Sequence, residues 1–159
     1  MMDAGSRLRH VRETGGSRLL RSLCVAWLTT CALGSTAAEP ARVLVQEAWC
    51  RQAPGTDVAA VYLTLRNLGT RPLTLVGIQS PIARSVMLHE TKTEGGMSRM
   101  RPVSEVRLLP GQTVKLEPGG MHAMLQGLTQ TLTAGQSVPL VLQLDDGSTV
   151  RASAQVRPF

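Results

Sequence analysis

Residues 138–156 read VPLVLQLDDGSTVRASAQV. Two β-rich runs, Val138–Leu144 and Thr149–Val156, flank Asp145-Asp146-Gly147-Ser148. The Asp-Gly step supplies the positive φ that a tight hairpin needs, so this stretch predicts two antiparallel strands. Upstream the chain repeats the pattern. Val43–Trp49, Val58–Arg66, Leu73–Ile78 and Val86–Glu90 are strand-like, and Asn67-Leu68-Gly69-Thr70 and Thr93-Glu94-Gly95-Gly96 are turn signals. Met97–Val103, Val106–Leu109, Thr113–Glu117 and His122–Leu128 follow, stopped by Pro110-Gly111, Pro118-Gly119-Gly120 and Thr133-Ala134-Gly135. No segment carries a sustained 3.6-residue apolar repeat with caps. About nine short strands in some 120 residues predict an all-β fold, an antiparallel sandwich or barrel in a single domain.

The start of the chain reads differently. Arg18 and Arg21 precede the apolar run 23–34, and the small residues Ser35-Thr36-Ala37-Ala38 follow it. A basic region, a short apolar region and a small-residue cleavage site define a secretory signal peptide, predicted over 1–38 with cleavage after Ala37 or Ala38. The apolar run has 12 residues, against roughly 20 for a membrane-spanning helix. Leu28-Thr29-Thr30-Cys31 resembles a lipoprotein processing site, although Thr fits poorly before the cysteine. The expected product is residues 39–159, soluble, in the periplasm and without a stable membrane anchor.

The leader distorts the charge count. The chain carries 17 Lys and Arg against 11 Asp and Glu, net +6. Five Arg, Asp3 and Glu13 lie before residue 39, leaving 12 basic and 9 acidic side chains, net +3, in the remainder. No Lys/Arg block of the nucleic-acid-binding kind is present, so no nucleic-acid partner is expected. Cys24 and Cys31 fall in the leader, so Cys50 stands alone after it. A lone thiol in an oxidising space is usually buried as a small apolar residue.

The distribution of methionine and histidine carries the functional signal. After residue 38, both histidines (His89, His122) and all five methionines (Met87, Met97, Met100, Met121, Met124) fall in residues 87–100 and 121–124. Methionine is common core filler, but filler would also occupy the strands at 43–66 and 138–156, which have none. Residues i and i+2 of a strand share a face. His122 therefore projects with Met124, and Met87 with His89, whereas Met121 faces away and packs. A hairpin through Gly95-Gly96 brings Met100 towards His89. Thioether and imidazole together select a soft monovalent ion, Cu(I), over Mg²⁺, Ca²⁺ or Zn²⁺. Methionine also survives where paired thiols would be oxidised. Glu90 either orients the His89 ring through a hydrogen bond or stands as a solvated strand neighbour.

The intervals are specific as well. His89, ten residues, Met100, twenty-one residues, His122, one residue, Met124: this resembles the H-x10-M-x21-H-x-M signature of the periplasmic copper chaperone family PCuAC. EAWCR (47–51), AAVYLTLRNLG (59–69), MLHE (87–90), GGMSRMRPV (95–103) and GGMHAMLQGL (119–128) resemble its segments across nearly all of the chain after the leader. The resemblance implies a cupredoxin-like Greek-key β-sandwich that binds one Cu(I) through His89, Met100, His122 and Met124, with Met87 and Met97 as auxiliaries. It also implies a non-enzymatic metallochaperone that carries copper to the binuclear copper centre of respiratory cytochrome oxidase; a monomer is expected. The partners implied are copper-accepting, thiol-bearing periplasmic proteins: the oxidase copper subunit and a Sco-type protein. The chain ends ASAQVRPF, without His or Met, so a second, Cu(II) site is not expected.

Three alternatives make different predictions. A blue-copper electron carrier needs His₂Cys with a weak axial Met, and no cysteine lies between the two histidines. A metal-free assembly or adhesion module predicts no response to Cu(I) or Ag(I). A hydrolase needs a nucleophile arrangement that is not visible, and it leaves the methionines unexplained.

Overall fold

The computed structural model describes residues 42–158, so the predicted leader lies outside the described residues. Ten strands are present: β1 (Val43–Gln52), β2 (Val58–Asn67), β3 (Leu73–Gln79), β4 (Ala83–Glu94), β5 (Met97–Val103), β6 (Val106–Leu108), β7 (Thr113–Leu116), β8 (Met121–Leu128), β9 (Ser137–Leu144) and β10 (Thr149–Val156). No helix occurs among the described residues. The 138–156 hairpin forms as its turn chemistry requires, with Gly147 at φ 81° and Thr149 opposite Gln143.

The strands hydrogen-bond in the order β5-β4-β8-β2-β1-β10-β9-β3-β6, with β7 also pairing β2. Neighbours distant in sequence (β4 with β8, β1 with β10, β9 with β3) are the crossovers of a Greek-key arrangement. β3 packs on β4 without a ladder between them, so the path curls round and encloses one core. The expected antiparallel pairing needs one correction. β1 and β10 run parallel, Trp49 opposite Gln155 and Cys50 opposite Val156. Each has its antiparallel hairpin partner on its other side, and a parallel contact between chain ends leaves no local sequence mark.

Alternation decides which face is inside. In β2, Ala59, Val61, Leu63 and Leu65 are buried while the residues between them are half-exposed. Leu88, Ala123, Leu125, Val138, Leu140 and Leu142 belong to the same cluster. β1 switches phase midway. Glu47 has φ 52°, and three β1 steps from Gln46 to Trp49 match two β2 steps from Thr64 to Tyr62. This bulge turns Cys50 into the core and places Trp49 outside, opposite Tyr62.

Among the described residues three polar side chains are buried: Asn67, Ser80 and His122. Asn67 is fully buried. Its Nδ2 donates to the carbonyls of Arg71 (2.8 Å) and Leu108 (3.0 Å), and its Oδ1 accepts from the Gly69 N–H (2.8 Å). The residue read from sequence as a turn signal is therefore also a staple between the β2 end and β6.

Candidate metal centre

The predicted ligands lie on the outer face of β4, β5 and β8. His89 of β4 stands directly opposite His122 of β8, and Met87 opposite Met124 on the adjacent rung. Directly opposed residues of an antiparallel pair share a face, so all four project together. Met100 of β5 pairs with Thr91, one rung to the other side of His89, and shares that face by the two-residue repeat. The imidazole rung is thus flanked by thioethers on both sides.

The two rings lie beside each other. Their centroids are 6.0 Å apart and their planes 28° from parallel. A nitrogen about 2 Å from an ion sets its ring centroid about 3 Å from it, so two imidazoles on one ion span up to about 6 Å. His122 is buried, 5% exposed. Its Nδ1 lies 3.1 Å from the Gly120 carbonyl oxygen. A carbonyl only accepts, so Nδ1 is the donor in this contact and Nε2 is the nitrogen left to ligate. The same carbonyl accepts the Thr91 N–H at 3.0 Å, tying the ring to β4. His89 Nδ1 is buried and meets no protein hydrogen-bond partner. An orphaned imidazole nitrogen is costly in a fold without a ligand and suits one that binds an ion.

Two neighbours stand apart from the site. Glu90 does not orient His89: its carboxylate pairs with Lys92 Nζ at 3.1 Å, and strand alternation sends it to the other face. Met97 pairs with Glu94 at the hairpin tip; its odd-numbered position in β5 puts it on the face opposite Met100. Met121 points inward and packs against the core.

Sequence reasoning missed the wall beside His122. The Tyr62 ring centroid is 6.2 Å from that of His122 and 4.4 Å from that of Trp49. The guanidiniums of Arg157 and Arg51 lie 4.7 and 5.5 Å from the Trp49 centroid, within cation–π range. Burial pushes the Tyr62 phenol above its ordinary pKa, and the Arg51 charge pulls it down. The spacing Trp49–Tyr62 carries no motif; only the β1 bulge aligns the two.

Among the described residues no three His, Cys, Asp or Glu side chains form a metal-holding group. The donors gathered at this site are two imidazoles and thioethers, a soft set. Cys50 is not among them. It is fully buried on the inner face, and desolvation raises its thiol from 9.0 to about 11. The native protein therefore holds this proton where the unfolded chain releases it. The resulting stability is complete below pH 9 and is lost as pH rises towards 11. We expect an alkaline decline of about 2–3 kcal/mol over that window in residues 39–159, and a shallower one for Cys50→Ala. Equal slopes in alkaline denaturation series would contradict the assignment.

A family model described as "Putative lipoprotein LpqE-like" matches residues 43–156. The chain is 38% identical over 157 residues to "Putative lipoprotein Lxx21020" of Leifsonia xyli subsp. xyli, covering 92% of this chain and 94% of that one. It is similar to the solution structure of CuI-DR1885 from Deinococcus radiodurans at 32% identity and TM-score 0.57, covering 79% of this chain and 83% of the other. The copper-bound PCuAC domain from PmoF2 superposes with TM-score 0.63 over 74% of this chain and 94% of that domain. At 24% identity this last likeness is one of fold.

Proposed function

Because the chain belongs to the LpqE-like, PCuAC-type family, we propose that it is an extracytoplasmic Cu(I) carrier holding one ion through His89, His122, Met100 and Met124. The observation that carries this is the His89–His122 rung, with its rings 6.0 Å apart and thioethers on either side. Copper is cargo here, and no step of catalysis is needed. The Gly120 carbonyl fixes one ring with Nε2 free. The Tyr62–Trp49 wall covers the buried side of His122, while Met100 stays 52% exposed. Neutral ligands leave the +1 charge uncompensated, so an incoming thiolate replaces a thioether with a gain in charge balance. The acceptors we propose are thiolate-bearing proteins outside the cytoplasm, of the Sco type, and the binuclear copper centre of respiratory oxidase.

Anaerobic titration of residues 39–159 with Cu(I) against a chromophoric chelator tests the reading. One equivalent should bind without an intense visible band, and binding should weaken in acid because a protonated imidazole cannot ligate. No uptake above a protein with neither histidine would overturn it. A strong blue band would support the electron carrier, but Cys50 on the inner face leaves that ligand set unassembled. An absent thermal shift with Ag(I) would support the metal-free module, since a bound ligand stabilises by mass action.

The relatives' description as lipoproteins favours a second reading of the leader, in which Cys31 is the acylated residue and the chain following it is a tether. A mass measurement of the exported protein separates this from cleavage after Ala37 or Ala38.

A further inference from the structure

The four-ligand set leaves Met87 as an auxiliary with no stated task. Met87 is the rung partner of Met124, and it stands two residues from His89 as Met124 stands two residues from His122. The positional argument that selects Met124 therefore selects Met87 equally: both thioethers lie one rung from the imidazole pair on the same face. They differ in access. Met124 also has Ala60 of β2 beside it and is half-buried, whereas Met87 is 49% exposed. Packing does not explain Met87, since it faces away from the core. It borders an open cleft of about 410 Å³ between β3 and the β4–β5 hairpin, lined by Val76, Ile78, Val86 and Pro102, where another protein can approach.

We infer that Met87 is an exchange ligand: a second thioether on the Met124 side that takes the copper when Met124 lets go and yields it first to an incoming thiolate. The inference rests on the Cu(I)-carrier reading. In the exchange, the bond from copper to the Met87 sulfur breaks and one from copper to the acceptor sulfur forms. The acceptor thiol's proton goes to solvent, and copper stays Cu(I) throughout. His89 and His122 hold the ion until the thiolate is bound.

The test uses Met87→Ile, Met124→Ile and the double variant, with Met87→Leu as a second thioether-free substitution. Circular dichroism of the copper-free forms checks folding. Cu(I) affinity is read by competition with bathocuproine disulfonate, and release by transfer to glutathione. Each single variant should lose less than about tenfold in affinity, and the double variant at least about tenfold more than the product of the single losses. Met87→Ile and Met87→Leu should also slow transfer to glutathione. If Met124→Ile alone falls as far as the double variant, and loss of Met87 changes neither readout, Met87 is no exchange ligand although the copper reading stands. Native affinity in all the variants would overturn both.

Discussion

Replacing His89 and His122 together with Ala is expected to abolish Cu(I) retention while leaving the fold intact. Both side chains project from the outer face, and the core cluster contains neither. Removing only a supporting partner of a metal ligand costs 10–100-fold in affinity, so loss of both imidazoles should exceed about a hundredfold. The apo protein should keep a native far-UV spectrum and lose about 1–3 kcal/mol, since His122 is buried and its removal leaves the Gly120 carbonyl without that partner. Competition against a chelator of known affinity checks the first expectation. A double variant that still holds one ion near native strength would place the site elsewhere.

The second large effect concerns folding. Asn67→Ala removes three hydrogen bonds at once and leaves the Gly69 N–H and the Arg71 and Leu108 carbonyls without their partner. An orphaned buried group costs about 1–3 kcal/mol, so a loss of about 3–5 kcal/mol is expected. That is a large part of the 5–15 kcal/mol typical of a domain. Urea denaturation of the copper-free protein measures it. Asn67→Asp should also be strongly destabilised, because it keeps the acceptor for Gly69 but loses both donated bonds and buries a charge. A loss below about 1 kcal/mol in both would mean that water replaces the side chain without cost.

What the sequence disclosed follows the range of the forces involved. The 145–148 turn is a four-residue decision, and strand alternation in β2 is a local pattern, so both are legible. Two-residue periodicity pairs Met87 with His89 and His122 with Met124, while the full ligand set came only from the resemblance of the intervals to the PCuAC signature. The contact between the two imidazoles was not legible as such: it depends on β4 choosing β8 as its partner, 33 residues away from His89 to His122. Long-range choices hid the rest. Asn67 reads as a turn residue because its acceptor at Leu108 lies 41 residues on. The parallel β1–β10 contact, and the bulge that sets Trp49 beside Tyr62, have no composition of their own. Of the two roles open to Glu90, the structure shows the strand neighbour paired with Lys92, whereas the group that orients His122 is a backbone carbonyl two residues back.

X-ray absorption of the protein loaded with one equivalent of Cu(I) tests the centre most directly. The ligand set proposed here requires a mixed first shell, nitrogen at about 2.0 Å and sulfur at about 2.3 Å, with the sulfur contribution falling when Met100 and Met124 are both replaced by Ile. A shell of light atoms alone, or a sulfur signal indifferent to those methionines, would contradict it.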